Sequence, residues 1–182
     1  MLNSKRNPAT VERIAGRLFE MGLNEIFERC SEPRETNRQI GPLFKRWLKK
    51  GCLGVDLLSI EDFSKSKKNA ILDGSDKELM MFANTNLTYK GSKGLDFIGR
   101  FNGKYIVGEA KFLTDFGGHQ NAQFEDAKNL LRNKTVKAIK IAILDGVLYI
   151  RNKTKMHKFV TTNKEEFNIM SALVLRDFLY QI

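Results

Sequence analysis

The chain is 182 residues long, 42% hydrophobic and 10% aromatic, with three prolines, no low-complexity tract and no internal repeat, which suits one folded domain with a substantial core. No apolar run approaches the length of a membrane span and the first residues (MLNSKRNPAT) lack a signal-type apolar segment, so a soluble, cytoplasmic protein without membrane association is expected. Thirty-one Lys and Arg against 21 Asp and Glu leave a net charge of +10, which favours polyanionic partners, nucleic acid before an acidic membrane surface, with a solvated exterior tuned for solubility as the alternative.

In chain order, Asn7 is placed to cap a helix that opens at Pro8, with Val11, Ile14, Ala15, Leu18 and Phe19 on one face and Gly22 as its stop. A short helix is expected from Asn24 to Arg29. Ile40, Leu43, Phe44, Trp47 and Leu48 repeat at helical spacing before Gly51, so a second helix begins at Pro42 or is kinked there. Residues 52–74 read as loop with short pieces of structure. Ser75 and Glu78 make a capping box before Leu79, Met80, Phe82 and Ala83, which predicts another helix.

Two strands follow, joined at Asn102-Gly103, a dipeptide suited to a two-residue hairpin turn. Beyond Gly117-Gly118 a helix is expected from Gln120 to Leu131, with Phe124, Ala127 and Leu131 inward. VKAIKIAIL reads as a buried strand, and Asp145-Gly146 as the turn of a second hairpin with VLYI. A last helix is expected over 164–179. Cys30 and Cys52 are isolated, so neither a disulfide nor a zinc site is indicated.

The stretch LDFIGRFNGKYIVGEAKF carries the chemistry. With Asn102 and Gly103 as turn residues, Phe101 opposes Lys104, and further steps bring Asp96 opposite Glu109 on one face. Lys111, two residues beyond Glu109, projects from that face too. Two carboxylates about 5 Å apart repel by roughly 3 kcal/mol at an effective dielectric near 20. Leu95, Phe97, Ile98, Ile106, Val107 and Phe112 mark these strands as interior, so exposure gives no relief. Lys111 supplies one compensating charge, and a hard divalent cation such as Mg²⁺ would supply more, with Asp96, Glu109 and the Ala110 carbonyl as oxygen donors. The alternative is a surface hairpin whose charges pair across the strands. A cation, two carboxylates and a lysine suit phosphodiester hydrolysis, with Lys111 orienting or deprotonating water or neutralising the transition state. The basic surface points to nucleic acid as substrate.

Asp96 followed by Glu109-Ala110-Lys111 on the next strand resembles the D…(D/E)xK signature of the PD-(D/E)xK nuclease superfamily, and within it is most similar to type II restriction endonucleases. The resemblance covers residues 75–150 and departs from the usual pattern in having Leu95 where proline commonly precedes the Asp. It implies an α/β fold with a central mixed β-sheet flanked by helices around an αβββαβ core. It also implies Mg²⁺ dependence, products with a 5′-phosphate, Asp96 and Glu109 as metal ligands and Lys111 as the catalytic lysine. Some members place another glutamate on an N-terminal helix near the metal. Glu35 is the candidate here, with a helix-start carboxylate as the plainer reading. Arg34 and Arg38 beside it would serve phosphates or solvent.

After the lysine strand, LTDFGGHQNAQFEDAKN offers amides and an imidazole that can bond base edges, which makes His119, Gln120, Asn121 and Gln123 candidate DNA contacts. A glycine turn into a polar helix start accounts for the same residues. His119 as a general base and Asp115 as a further ligand or a loop cap are secondary readings. Lys65, Lys67, Lys68, Lys90, Lys93, Lys153, Lys155 and Lys158 can track a phosphate backbone or simply be solvated.

The expectation is therefore one domain over 1–182: a mainly helical part (1–74), a catalytic core (75–150) and a C-terminal helical region (151–182). Its expected activity is site-specific cleavage of double-stranded DNA, as a homodimer, since one such site cuts one strand and a palindrome calls for two-fold symmetry. A structure-directed nuclease of the same fold, a junction resolvase or repair nuclease, is the first alternative. A non-catalytic basic DNA-binding module is the second.

Overall fold

Asn102 (φ 50°) and Gly103 (φ 76°) both lie in the left-handed region, the signature of the type I′ turn that matches strand twist. They reverse β3 (Phe97–Phe101) into β4 (Lys104–Leu113) with Phe101 opposite Lys104, Ile98 opposite Val107 and Phe97 opposite Gly108, which is the expected register. This computed structural model describes residues 8–31, 36–151, 153–163 and 165–182, with side chains described from 12 to 28 and from 42 onward. Asn7, Arg34 and Glu35 lie outside the described residues, as do the side chains of Val11, Cys30, Arg38 and Ile40.

The chain divides into two compact units, residues 1–35 and 36–182. The first contains α1 (Pro8–Ser31), interrupted at Gly22, whose φ of 74° and ψ of 161° break the helical path at the expected stop. The second unit holds α2 (Thr36–Lys49), β1 (Asp56–Leu58), α3 (Ile60–Lys65), β2 (Ala70–Leu72) and α4 (Asp76–Asn86). After β3 and β4 come α5 (Gly118–Arg132), β5 (Ile139–Gly146), α6 (Lys155–Thr162), β6 (Asn168–Met170) and α7 (Ala172–Gln181). Helix α2 continues through Pro42, so that proline neither starts nor ends it.

The strands form one six-stranded sheet in sequence order, antiparallel at β2–β3 and β3–β4 and parallel at β1–β2, β4–β5 and β5–β6. Helix α5 makes the crossover that a parallel β4–β5 pair requires. This is the mixed sheet with flanking helices that was expected.

Alternation along β3 and β4 divides the core between two faces. On one face Ile98 and Val107 pack with Phe63 of α3 and with Leu79, Phe82 and Ala83 of α4. On the other, Phe97, Phe101 and Ile106 pack with Leu48 of α2 and Leu175 and Leu179 of α7. Leu113, Ala142 and Leu144 join Phe124, Ala127 and Leu131 of α5 in a third cluster with Met156 of α6. The capping box starts α4 as expected: Glu78 N–H donates to Ser75 Oγ (3.3 Å), and Ser75 N–H donates to Glu78 Oε2 (2.7 Å).

Two expectations in the C-terminal third are corrected. Asp145-Gly146 does not turn a hairpin, because β5 already pairs with β4 on one edge and β6 on the other. VLYI instead leaves the sheet through a 3-10 turn (Val147–Tyr149) that buries Leu148 in the third cluster. Asp145 accepts from Ser171 Oγ (2.5 Å) and from Ala172 N–H (3.0 Å), so it caps α7 rather than shaping a turn. The expected single helix over 164–179 is also broken. The run from Asn168 to Met170 forms β6, and the last helix begins only after the Ser171 cap.

Gly146 has φ of 102°, and a Cβ there would collide with the Leu113 carbonyl oxygen on β4. Gly146→Ala is expected to cost about 3 kcal/mol or more in urea unfolding. Gly118→Ala, with open space around the added methyl, is expected within about 0.5 kcal/mol of the parent. Equal midpoints for the two variants would refute this account of the β5 exit.

Candidate active site

Asp96 immediately precedes β3, and its own N–H still donates to the Gly108 carbonyl (3.2 Å), which holds it in the hairpin's register. By strand alternation Asp96, Glu109 and Lys111 share the face of Ile98 and Val107. The three side chains meet there. Lys111 Nζ lies 2.5 Å from Asp96 Oδ2 and 2.8 Å from Glu109 Oε2. The Ala110 N–H also donates to Asp96 Oδ2 (2.9 Å). In an extended strand a residue's N–H and C=O leave on the same edge, so the Ala110 carbonyl faces the Asp96 side as well.

Burial separates the two acids. The Glu109 side chain is 2% exposed and that of Asp96 16%. Burial, followed by the neighbouring Asp96 charge, pushes the Glu109 carboxyl up to about 8, with Lys111 opposing the rise. For Lys111, burial alone would lower the pKa, but Asp96 and Glu109 outweigh it and the ammonium is held above its ordinary range. Glu109 Oε2 is in charge contact with Lys111 but outside hydrogen-bonding direction, leaving a buried oxygen with no hydrogen bond.

That orphaned oxygen, one Asp96 carboxylate and a backbone carbonyl make an all-oxygen donor set, which fits a hard divalent cation and not zinc. Among the described residues no three His, Cys, Asp or Glu side chains cluster to hold a metal. Two carboxylates and a carbonyl would therefore leave further positions to water, the habit of Mg²⁺.

The site opens into a cleft of about 430 Å³ lined by Lys77 and Met80 of α4, Ser92 and Lys93 of the loop before β3, and the three charged residues. Asp76 joins this wall together: its carboxylate takes Lys45 Nζ of α2 (2.6 Å) and its carbonyl accepts the Leu95 N–H (3.1 Å). Sequence alone did not single out Asp76 or Lys77. The capping box located α4, but nothing local told which strand end its first turn would cover.

The candidate DNA contacts separate by burial. His119 and Asn121 are exposed at the start of α5, and Gln123 is half-buried. Gln120 is 1% exposed and its Nε2 donates to Thr114 Oγ1 (3.1 Å), so it ties α5 to the end of β4 and presents nothing to a groove. A helical start puts Gln120 on the same side as Phe124 and Ala127, which is why it turns inward. Asn121 Nδ2 donates to the Phe116 carbonyl (3.1 Å). Asp115 Oδ1 accepts the Gly117 N–H (2.6 Å), the loop-cap alternative.

No helix among the described residues is long and apolar enough to cross a membrane. Comparison with curated proteins and with solved structures returns no match. The family profile described as Tsp45I type II restriction enzyme matches residues 2–182, nearly the whole chain. With acids and lysine converging at the end of a β-hairpin in a mixed sheet, and that match spanning both units, the chain belongs to the Tsp45I type II restriction enzyme family, within the PD-(D/E)xK nuclease class.

Proposed function

We propose that the chain is a Mg²⁺-dependent endonuclease that cuts double-stranded DNA at a specific site, acting as a homodimer. The observation that carries this reading is the convergence of Asp96, Glu109 and Lys111 within 2.5–2.8 Å on one sheet face, at an open cleft in a chain of net charge +10. Asp96, Glu109 and the Ala110 carbonyl would hold the cation. When bound, Mg²⁺ supplies Lewis acidity toward the phosphate and lowers the pKa of nearby water.

The remaining work falls to this chain's own groups. Asp96 accepts from both Ala110 N–H and Lys111, so its carboxylate cannot swing away from β4 without losing two bonds. Lys111 is an ammonium between two acids, aimed at the cleft where a scissile phosphate must enter. Its N–H groups can donate to phosphate oxygens as negative charge builds on them. His119 and Asn121, exposed at the start of α5, and the half-buried Gln123 are the contacts this reading retains for sequence recognition. Two-fold pairing of such sites accounts for cutting both strands of a palindrome. Glu35 stays a candidate for a further acidic contribution.

Supercoiled plasmid incubated with protein and Mg²⁺ is expected to yield discrete linear fragments, and none in EDTA. Lys111→Ala and Asp96→Asn are each expected to lower the cleavage rate by about 10²-fold or more. Absence of cutting by the parent, or full activity in Lys111→Ala, would refute the assignment. Cleavage confined to branched DNA would replace it with the structure-directed alternative.

The pH dependence has a definite sign. A buried carboxyl whose folded pKa is raised from 4.5 to about 8 binds its proton more tightly in the native state than in the unfolded chain. The metal-free protein should therefore lose stability as pH rises from about 5 to 8. Glu109→Gln, which has no proton to lose, should lack that decline while abolishing cleavage. Melting temperatures in EDTA at pH 6 and pH 8.5 check this: the parent should fall by several degrees more than the variant, and parallel behaviour would refute it.

A further inference from the structure

The cleft has two basic walls that the donor set does not use. Lys77 lies on the first turn of α4, Ser92 and Lys93 lie on the loop before β3, and all three line the same cleft as Asp96, Glu109 and Lys111. The walls are fixed to each other by the Leu95 N–H to Asp76 carbonyl bond (3.1 Å). Of the two acids that flank Lys77 in the chain, Asp76 pairs with Lys45 (2.6 Å) and Glu78 accepts the Ser75 N–H in the capping box (2.7 Å). Among the described residues Lys77 enters no ion pair of its own. Lys93 pairs with Asp126 of α5, but both side chains are more than a third exposed (44% and 37%). An exposed pair of that kind contributes at most about 1 kcal/mol, so an incoming anion can displace it.

We infer that Lys77 and Lys93, with Ser92 beside them, form a phosphate clamp that grips the DNA backbone on either side of the scissile position. The inference rests on the reading of Asp96, Glu109 and Lys111 as the nuclease site and adds the residues that seat the substrate strand over it. Asp126 acts as a gate on one jaw, holding the Lys93 amine until a phosphate replaces it.

The test is binding of the 182-residue chain to a fluorescent duplex of mixed sequence in EDTA, by anisotropy over a series of salt concentrations. Each lost phosphate contact lowers the slope of log K against log salt by about 0.9. Lys77→Ala and Lys93→Ala are each expected to show that drop, with the double variant binding about tenfold or more weaker. Lys134→Ala, in a separate pocket beside Phe167, should leave the slope unchanged. Asp126→Asn should tighten binding, and that gain should vanish in the Lys93→Ala background. Unchanged slopes in the two clamp variants, an equal drop in Lys134→Ala, or no duplex binding by the parent would each overturn the clamp. Mg²⁺-dependent cleavage, run alongside on the parent, separates the two claims. Cleavage with unchanged slopes rejects the clamp alone, and the expected slopes without cleavage reject the nuclease reading alone.

Discussion

Two carboxylates share one face of a buried hairpin, and the molecule tolerates them because an amine lies between them. Asp96 and Glu109 would repel on a largely buried face where water screens them poorly, and Lys111 offsets that repulsion through contacts of 2.5 and 2.8 Å. The compensation is incomplete, since Glu109 keeps a buried oxygen without a hydrogen bond and a carboxyl shifted toward neutrality. A core selected only for stability would place apolar side chains there. Buried ionisable groups of this kind fit the proposed active site, since perturbed carboxyls cluster at functional sites.

Strand β4 is where the constraints meet. The I′ turn fixes its pairing with β3, which aligns Asp96 with Glu109. The α5 crossover fixes its pairing with β5, where Glu109 lies beside Ala142 and Lys111 beside Leu144. A one-residue slip in either ladder would send Glu109 and Lys111 to the opposite face, among Phe97, Ile106 and Leu175. Gln120 reinforces the exit of this strand by anchoring Thr114, so a residue that looks like a groove reader from its neighbours instead holds the scaffold.

The family match and the geometry bear on different questions. The match spans residues 2–182 and identifies a type II restriction enzyme family without pointing to any residue. The geometry singles out three side chains and the cleft above them. The proposed function joins the two by assigning phosphodiester cleavage to the end of β3 and β4, and the lysines lining the cleft fit a substrate that arrives as a chain of phosphates.

What local sequence determined is the part governed by short-range rules. Asn102-Gly103 dictates a turn with two positive φ values, and the period of two then places Asp96, Glu109 and Lys111 together without reference to the rest of the chain. Ser75 and Glu78 likewise start α4 through bonds to each other. The tertiary structure decided what depends on neighbours distant in sequence. Asp145-Gly146 has the composition of a hairpin turn, but both edges of β5 are taken, so the strand ends in a 3-10 turn and Asp145 caps α7 instead. Asn168–Met170 becomes a strand because the open edge of β5 offers backbone partners that a continued helix would forgo. Gln120 turns inward because α5 packs on β4, and Asp76 and Lys77 reach the cleft because α4 lies over the hairpin's open end. A turn is specified by the conformational preferences of two residues, whereas burial and edge pairing are properties of the assembled sheet.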